Sequence, residues 1–96
     1  MKKLNIVPVT LVTANDIEVL PPNPSRKAVI LSSDTTWVYW INFGGTAAAN
    51  VGIRIPAGIA PVVLEWDTWG EVLQLALRAR AVGGNIPCVI TEIVGP

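Results

Sequence analysis

The chain has 96 residues and a formal net charge of zero, which is one domain with one core. Its basic residues are scattered (Lys2, Lys3, Arg26, Lys27, Arg54, Arg78 and Arg80) with no basic stripe, which argues against nucleic-acid binding as the main task. With one cysteine, no histidine, 51% hydrophobic and only 15% charged residues, the composition excludes an internal disulfide, a Cys/His zinc site and a nucleophile–histidine pair, and it implies that some apolar surface faces a partner.

Residues 4–13, LNIVPVTLVT, are rich in β-branched types and read as a first strand. Lys2-Lys3 before an apolar stretch resembles a signal peptide, but Asn5, Pro8, Thr10 and Thr13 break the run. Pro8 cannot donate to a ladder, so this strand belongs at an edge or a bulge. Residues 1–20 are therefore a candidate edge or intersubunit strand arm of a single domain spanning 1–96. Residues 17–20 form a second strand. Pro21-Pro22-Asn23-Pro24 is a stiff extended connection, with Asn23 and Pro24 as turn formers.

Residues 26–32 are a strand, and Ser33-Asp34 supplies a turn. In residues 35–43, Trp37, Tyr39, Ile41 and Phe43 alternate onto one face and Val38, Trp40 and Asn42 onto the other. The short turn predicts a hairpin between these two strands. Of Trp37 and Trp40, one is expected in the core and the other opposite. Gly44 and Gly45 end the strand, and residues 46–50 form a small-residue loop. A short strand follows at 51–55, then a turn at Pro56-Ala57-Gly58 and a strand at 60–66.

Residues 67–82 carry two patterns. An acidic start at Asp67 and Glu71, a basic end at Arg78 and Arg80 and a Gly83-Gly84 stop suit a helix. Clean alternation over 73–81 suits a strand, with Leu73, Leu75, Leu77, Ala79 and Ala81 on one side. The strand is favoured, from its β surroundings and from the resemblance below. Residues 86–94 close the domain as a last strand. The fold class is all-β: a small antiparallel β-sandwich or jelly-roll-like barrel of about seven to eight short strands, or a sandwich with one helix at 67–82.

Catalytic chemistry is thinly provided. Glu65 and Asp67 are two apart and would share a strand face as a solvated or capping pair. Cys88, with no basic neighbour in sequence, reads as a small core residue. No run of about 18 apolar residues is present to span a membrane as a helix. The candidate interface residues are Trp40, Trp66 and Trp69, as stacking platforms or hot spots, and Arg78 and Arg80, as an exposed pair for an intersubunit salt bridge or an anion.

The stretch Asn23-Pro24-Ser25-Arg26-Lys27-Ala28, the strand Val38-Tyr39-Trp40-Ile41-Asn42-Phe43-Gly44-Gly45-Thr46 and the segment Gly52-Ile53-Arg54-Ile55-Pro56-Ala57-Gly58 resemble small β-sandwich virion proteins of tailed bacteriophages. The resemblance covers residues 23–93 and departs at Trp40 and in the apolar 69–82 segment. It implies a capsid decoration (cement) or head/tail fibre protein, made in the host cytoplasm and located in the virion. Its implied partners are further copies, as a trimer or else a dimer, and the major capsid protein or another virion protein. A receptor- or carbohydrate-binding fibre domain is the alternative. No enzyme activity, cofactor, nucleic acid or membrane is expected.

Overall fold

A computed structural model describes residues 2–13, 15–33, 37–56, 58 and 61–95. Their eight strands are β1 (Lys3–Leu11), β2 (Ile17–Leu20), β3 (Arg26–Ser32), β4 (Tyr39–Phe43), β5 (Ile53–Ile55), β6 (Val62–Glu65), β7 (Leu77–Ala81) and β8 (Ile86–Val94). A single helical turn, α1 (Trp66–Trp69), and a 3-10 helix at Gly70–Gln74 lie between β6 and β7.

One sheet has the order β1-β8-β3-β6 and the other β2-β7-β4-β5, with every neighbour antiparallel. First pairs with last, second with seventh, third with sixth and fourth with fifth. The chain is thus one long hairpin, bent at the β4–β5 link and rolled until β8 also meets β3 and β7 also meets β4. This is a jelly roll, an eight-stranded antiparallel sandwich.

The core fills the space between the sheets. Tyr39, Ile41 and Phe43 of β4 are buried, and their partners on β7 are Ala81, Ala79 and Leu77. The two alanines beside Tyr39 and Ile41 let the strands share one layer without overpacking. Val29, Leu31, Ile86, Cys88, Ile90 and Leu11 close the core from the other sheet. The prolines sit where the ladder tolerates them. Pro8 is on edge strand β1; Pro87 of β8 pairs with Thr10, beyond Ser32, where the β3–β8 ladder ends.

One end of the core is closed by a buried charge. Arg26 has no exposed surface, and its Nε donates to Glu92 Oε2 at 2.6 Å. Nη1 donates to the carbonyls of Leu73 and Leu75, both at 2.8 Å, and Nη2 to that of Pro21. Glu92 Oε1 accepts from Asn5 Nδ2 at 3.0 Å. The network ties β3, β8, β1, the proline connection and the 3-10 helix together.

The structure corrects several expectations. β3 and β4 do not form a hairpin: they lie in different sheets. Asp34, Thr35 and Thr36 between them, like Ala57 and Ala60, lie outside the described residues. Trp37 lies outside β4 and is 47% exposed, so neither Trp37 nor Trp40 enters the core. Its indole covers Gly83 and Gly84 so closely that a Cβ built on Gly83 would lie 2.3 Å from Trp37 Cε3.

Residues 67–82 are neither one strand nor one helix. Gly70 at φ +60° separates α1 from the 3-10 helix. The carbonyls of residues 73–76 are then taken by groups outside any ladder: Leu73 and Leu75 by Arg26, Gln74 by the Asn23 amide at 2.9 Å, Ala76 by the Gly44 amide at 2.8 Å. Alternation resumes only in β7. Leu73 is buried from the 3-10 helix and Leu75 is exposed, so these two do not share a strand face. Glu65 ends β6 while Asp67 is in α1, so this carboxylate pair does not share one either.

Candidate functional site

Two outward sheet faces carry the candidate chemistry. On β1, Leu4, Ile6 and Pro8 point away from the core while Val7 and Val9 pack against it. The registers place Ile6, Thr91, Ile30 and Val63 in one row across all four strands, and Leu4, Ile93, Ala28 and Glu65 in the next. Pro8 and Val89 continue the face towards Ser32. Leu4 is 58% exposed, Ile6 64%, Val63 48% and Val89 39%. This outer face of β1-β8-β3-β6 is continuous and apolar. Its charge lies at one end, where Lys2, Lys27, Glu65 and Asp67 rim a concavity of about 640 Å³ with Trp66. The Lys27 ammonium lies 4.4 Å from the centre of the Trp66 ring.

The outer face of β2-β7-β4-β5 is polar. Glu18, Arg78 and Asn42 form one cross-strand row, and Arg80, Trp40 and Arg54 the next. Arg78 donates from Nε to Asp16 Oδ2. That hydrogen bond is the main reason the Asp16 carboxyl is held below the usual carboxylate range, and the Arg78 guanidinium is raised by the same contact. Arg80 donates from Nε to the Thr13 carbonyl at 3.0 Å.

The structure thus divides the sequence-derived residues. Trp40, Arg78 and Arg80 come together on one face. Trp66 stands at the rim of the other, and Trp69 packs partly buried against the core. Arg54, Leu4, Ile6 and Val63 complete the two faces and were not singled out by sequence. Asn23 Oδ1 accepts from the Ser25 amide at 2.9 Å, and its carbonyl accepts from the Arg26 amide at 3.2 Å, which closes the turn through Pro24. Gly44 at φ +78° ends β4 beside Gly45, and Gly58 has φ +143°.

Cys88 is buried in the core, where burial pushes its thiol up and makes it a poor nucleophile. The Tyr39 hydroxyl beside it is likewise raised, first by burial. Among the described residues no group of three or more His, Cys, Asp and Glu is placed to hold a metal ion. No helix among them is long and apolar enough to cross a membrane.

No family model and no curated protein matches the chain. Solved structures are similar to it in fold. An HTH_3 family transcriptional regulator from Vibrio cholerae superposes with TM-score 0.60 at 11% identity, over 97% of this chain and 43% of that one. This chain therefore spans less than half of the regulator's length. An RmlC-like cupin protein from Desulfovibrio desulfuricans gives TM-score 0.51 at 18% identity, over 95% of this chain and 71% of the other. A chain of the cyanophage Pam1 capsid asymmetric unit gives TM-score 0.51 at 17% identity, over 96% and 82%. These proteins differ in role, so what they share with this chain is the jelly-roll fold.

Proposed function

We propose that this chain is a non-enzymatic structural protein of a phage particle, a decoration or cement protein that associates with its own copies and with the major capsid protein. The observation that carries this reading is the apolar outer face of β1-β8-β3-β6. Its four strands cover about 500 Å² at ordinary strand spacing and rise, so about 1,000 Å² is buried when two proteins meet across it. That reaches the size at which specific interfaces begin, and exposed apolar patches of several hundred Å² mark interaction sites. The apolar core and the absence of histidine support a role without catalysis. The likeness to a phage capsid chain supports the virion setting at the level of fold.

The test is light scattering on the eluting protein, with co-sedimentation on assembled shells. The intact chain is expected to form an oligomer and to pellet with shells. The double variant Ile6→Lys/Val89→Lys is expected to be a folded monomer that stays in solution. An intact chain that is monomeric at high concentration and ignores shells would refute the proposal.

A further inference from the structure

We infer that the row Arg80–Trp40–Arg54, on the sheet face opposite the apolar one, binds an acidic sugar. The inference does not depend on the role of the apolar face. The three residues are direct cross-strand partners, Arg80 with Trp40 and Trp40 with Arg54. Neighbouring strands are about 4.8 Å apart, so the three residues form one row across β7, β4 and β5 on the same outward face. The two arginines differ from Arg78 in the next row, which Asp16 neutralises. Neither Arg54 nor Arg80 has an ion-pair partner among the described residues. Arg80 is half-buried, with its Nε held by the Thr13 carbonyl, so one cation of the pair is already positioned. Trp40 is half-buried as well.

The ligand class follows from this combination. A bare anion would use the arginines and leave the indole idle. A sugar ring offers an apolar C–H face to the indole and, when it is a uronic acid, a carboxylate at its rim. Guanidinium groups bind carboxylates through paired, charge-assisted hydrogen bonds. An extended acidic peptide adds to a sheet edge through its backbone, and this row is on a sheet face. Single-stranded nucleic acid also stacks on aromatic rings, but it needs a basic groove along its backbone, which two arginines on a chain of zero net charge do not make.

Calorimetric titration with trigalacturonate at low ionic strength tests the inference. Saturable binding is expected, weakened about tenfold by Arg54→Gln, the cost of one charge-assisted hydrogen bond. Trp40→Ala is expected to weaken it comparably, and Lys27→Gln, on the other sheet, to leave it unchanged. Circular dichroism confirms that each variant is folded; Arg54 is exposed, so its variant keeps the core intact. The inference is overturned if trigalacturonate does not bind or if neither row variant weakens it. It is equally overturned if maltotriose, a glutamate oligopeptide or oligothymidylate binds as tightly.

Discussion

Arg26 and Glu92 meet 2.6 Å apart inside the sandwich, on β3 and β8, with the arginine wholly shielded from water. Four N–H donations from the guanidinium and one from Asn5 to the carboxylate satisfy the pair. Removing one partner leaves a buried charge without compensation, which costs about 3–5 kcal/mol. Arg26→Met and Glu92→Leu are each expected to destabilise by that amount in urea unfolding. The double variant is expected to lose much less than the sum, because no charge is stranded. Additive losses would show that the two residues act separately.

Cys88 and Tyr39 link stability to alkaline pH. Burial favours the neutral form of both, so each is raised above its value in the unfolded chain. Their contribution is complete below the unfolded values, 9.0 for the thiol and 10.0 for the phenol, and is lost as pH rises from about 9 upward. The melting temperature is expected to fall between about pH 9 and 11, less steeply in Cys88→Ala. The thiol is expected to react with a disulfide reagent only when the chain opens, at a rate that increases with urea.

Asp16 contributes on the acid side. Its carboxyl is lowered by Arg78, so its contribution is complete above the unfolded value of 3.8 and is lost as pH falls below it. Asp16→Asn is expected to flatten the acid limb of the stability profile while leaving the alkaline limb unchanged. Melting curves across both limbs separate the two effects.

The apolar face separates folding from association. Leu4 and Ile6 are exposed in the single chain, so Leu4→Thr/Ile6→Thr is expected to change monomer stability by no more than about 0.5 kcal/mol per site. Association through the face is expected to fall severely, because apolar surface buried between proteins supplies its driving force. Parallel unfolding and light-scattering measurements check the two halves.

Gly83 and Trp37 make a steric pair. A methyl group at residue 83 would collide with the Trp37 ring. Gly83→Ala is expected to displace the indole, shift the tryptophan emission and destabilise by about 1–3 kcal/mol. In a Trp37→Ala background the same substitution is expected to cost less, which a double-variant cycle measures.

Much of the strand plan is legible in the chain. The limits 17–20, 26–32 and 86–94 agree with β2, β3 and β8, because β-branched runs there end at proline, glycine or polar residues. The segment 67–82 is not legible in this way. Its alternation is real, but Arg26 and the amides of Asn23 and Gly44 take the carbonyls of residues 73–76. A basic residue at the start of an apolar strand reads as a solvated end; its burial comes from Glu92, 66 residues away.

The two candidate faces show the same boundary. Low charge and high apolar content determine that this chain leaves apolar surface exposed, and the lack of histidine removes histidine-based catalysis and metal binding, because those chemistries require that side chain. Composition does not select the face. β1 is apolar on both parities, with Leu4 and Ile6 alternating against Val7 and Val9, so only its register on β8 decides which set points outward. Trp40 opposes Tyr39 by parity alone, but its place between Arg80 and Arg54 requires β4 to pair with both β7 and β5. Local sequence determines which residues alternate. Rolling the long hairpin into two sheets decides which of them become neighbours, because those pairings join segments far apart in the chain.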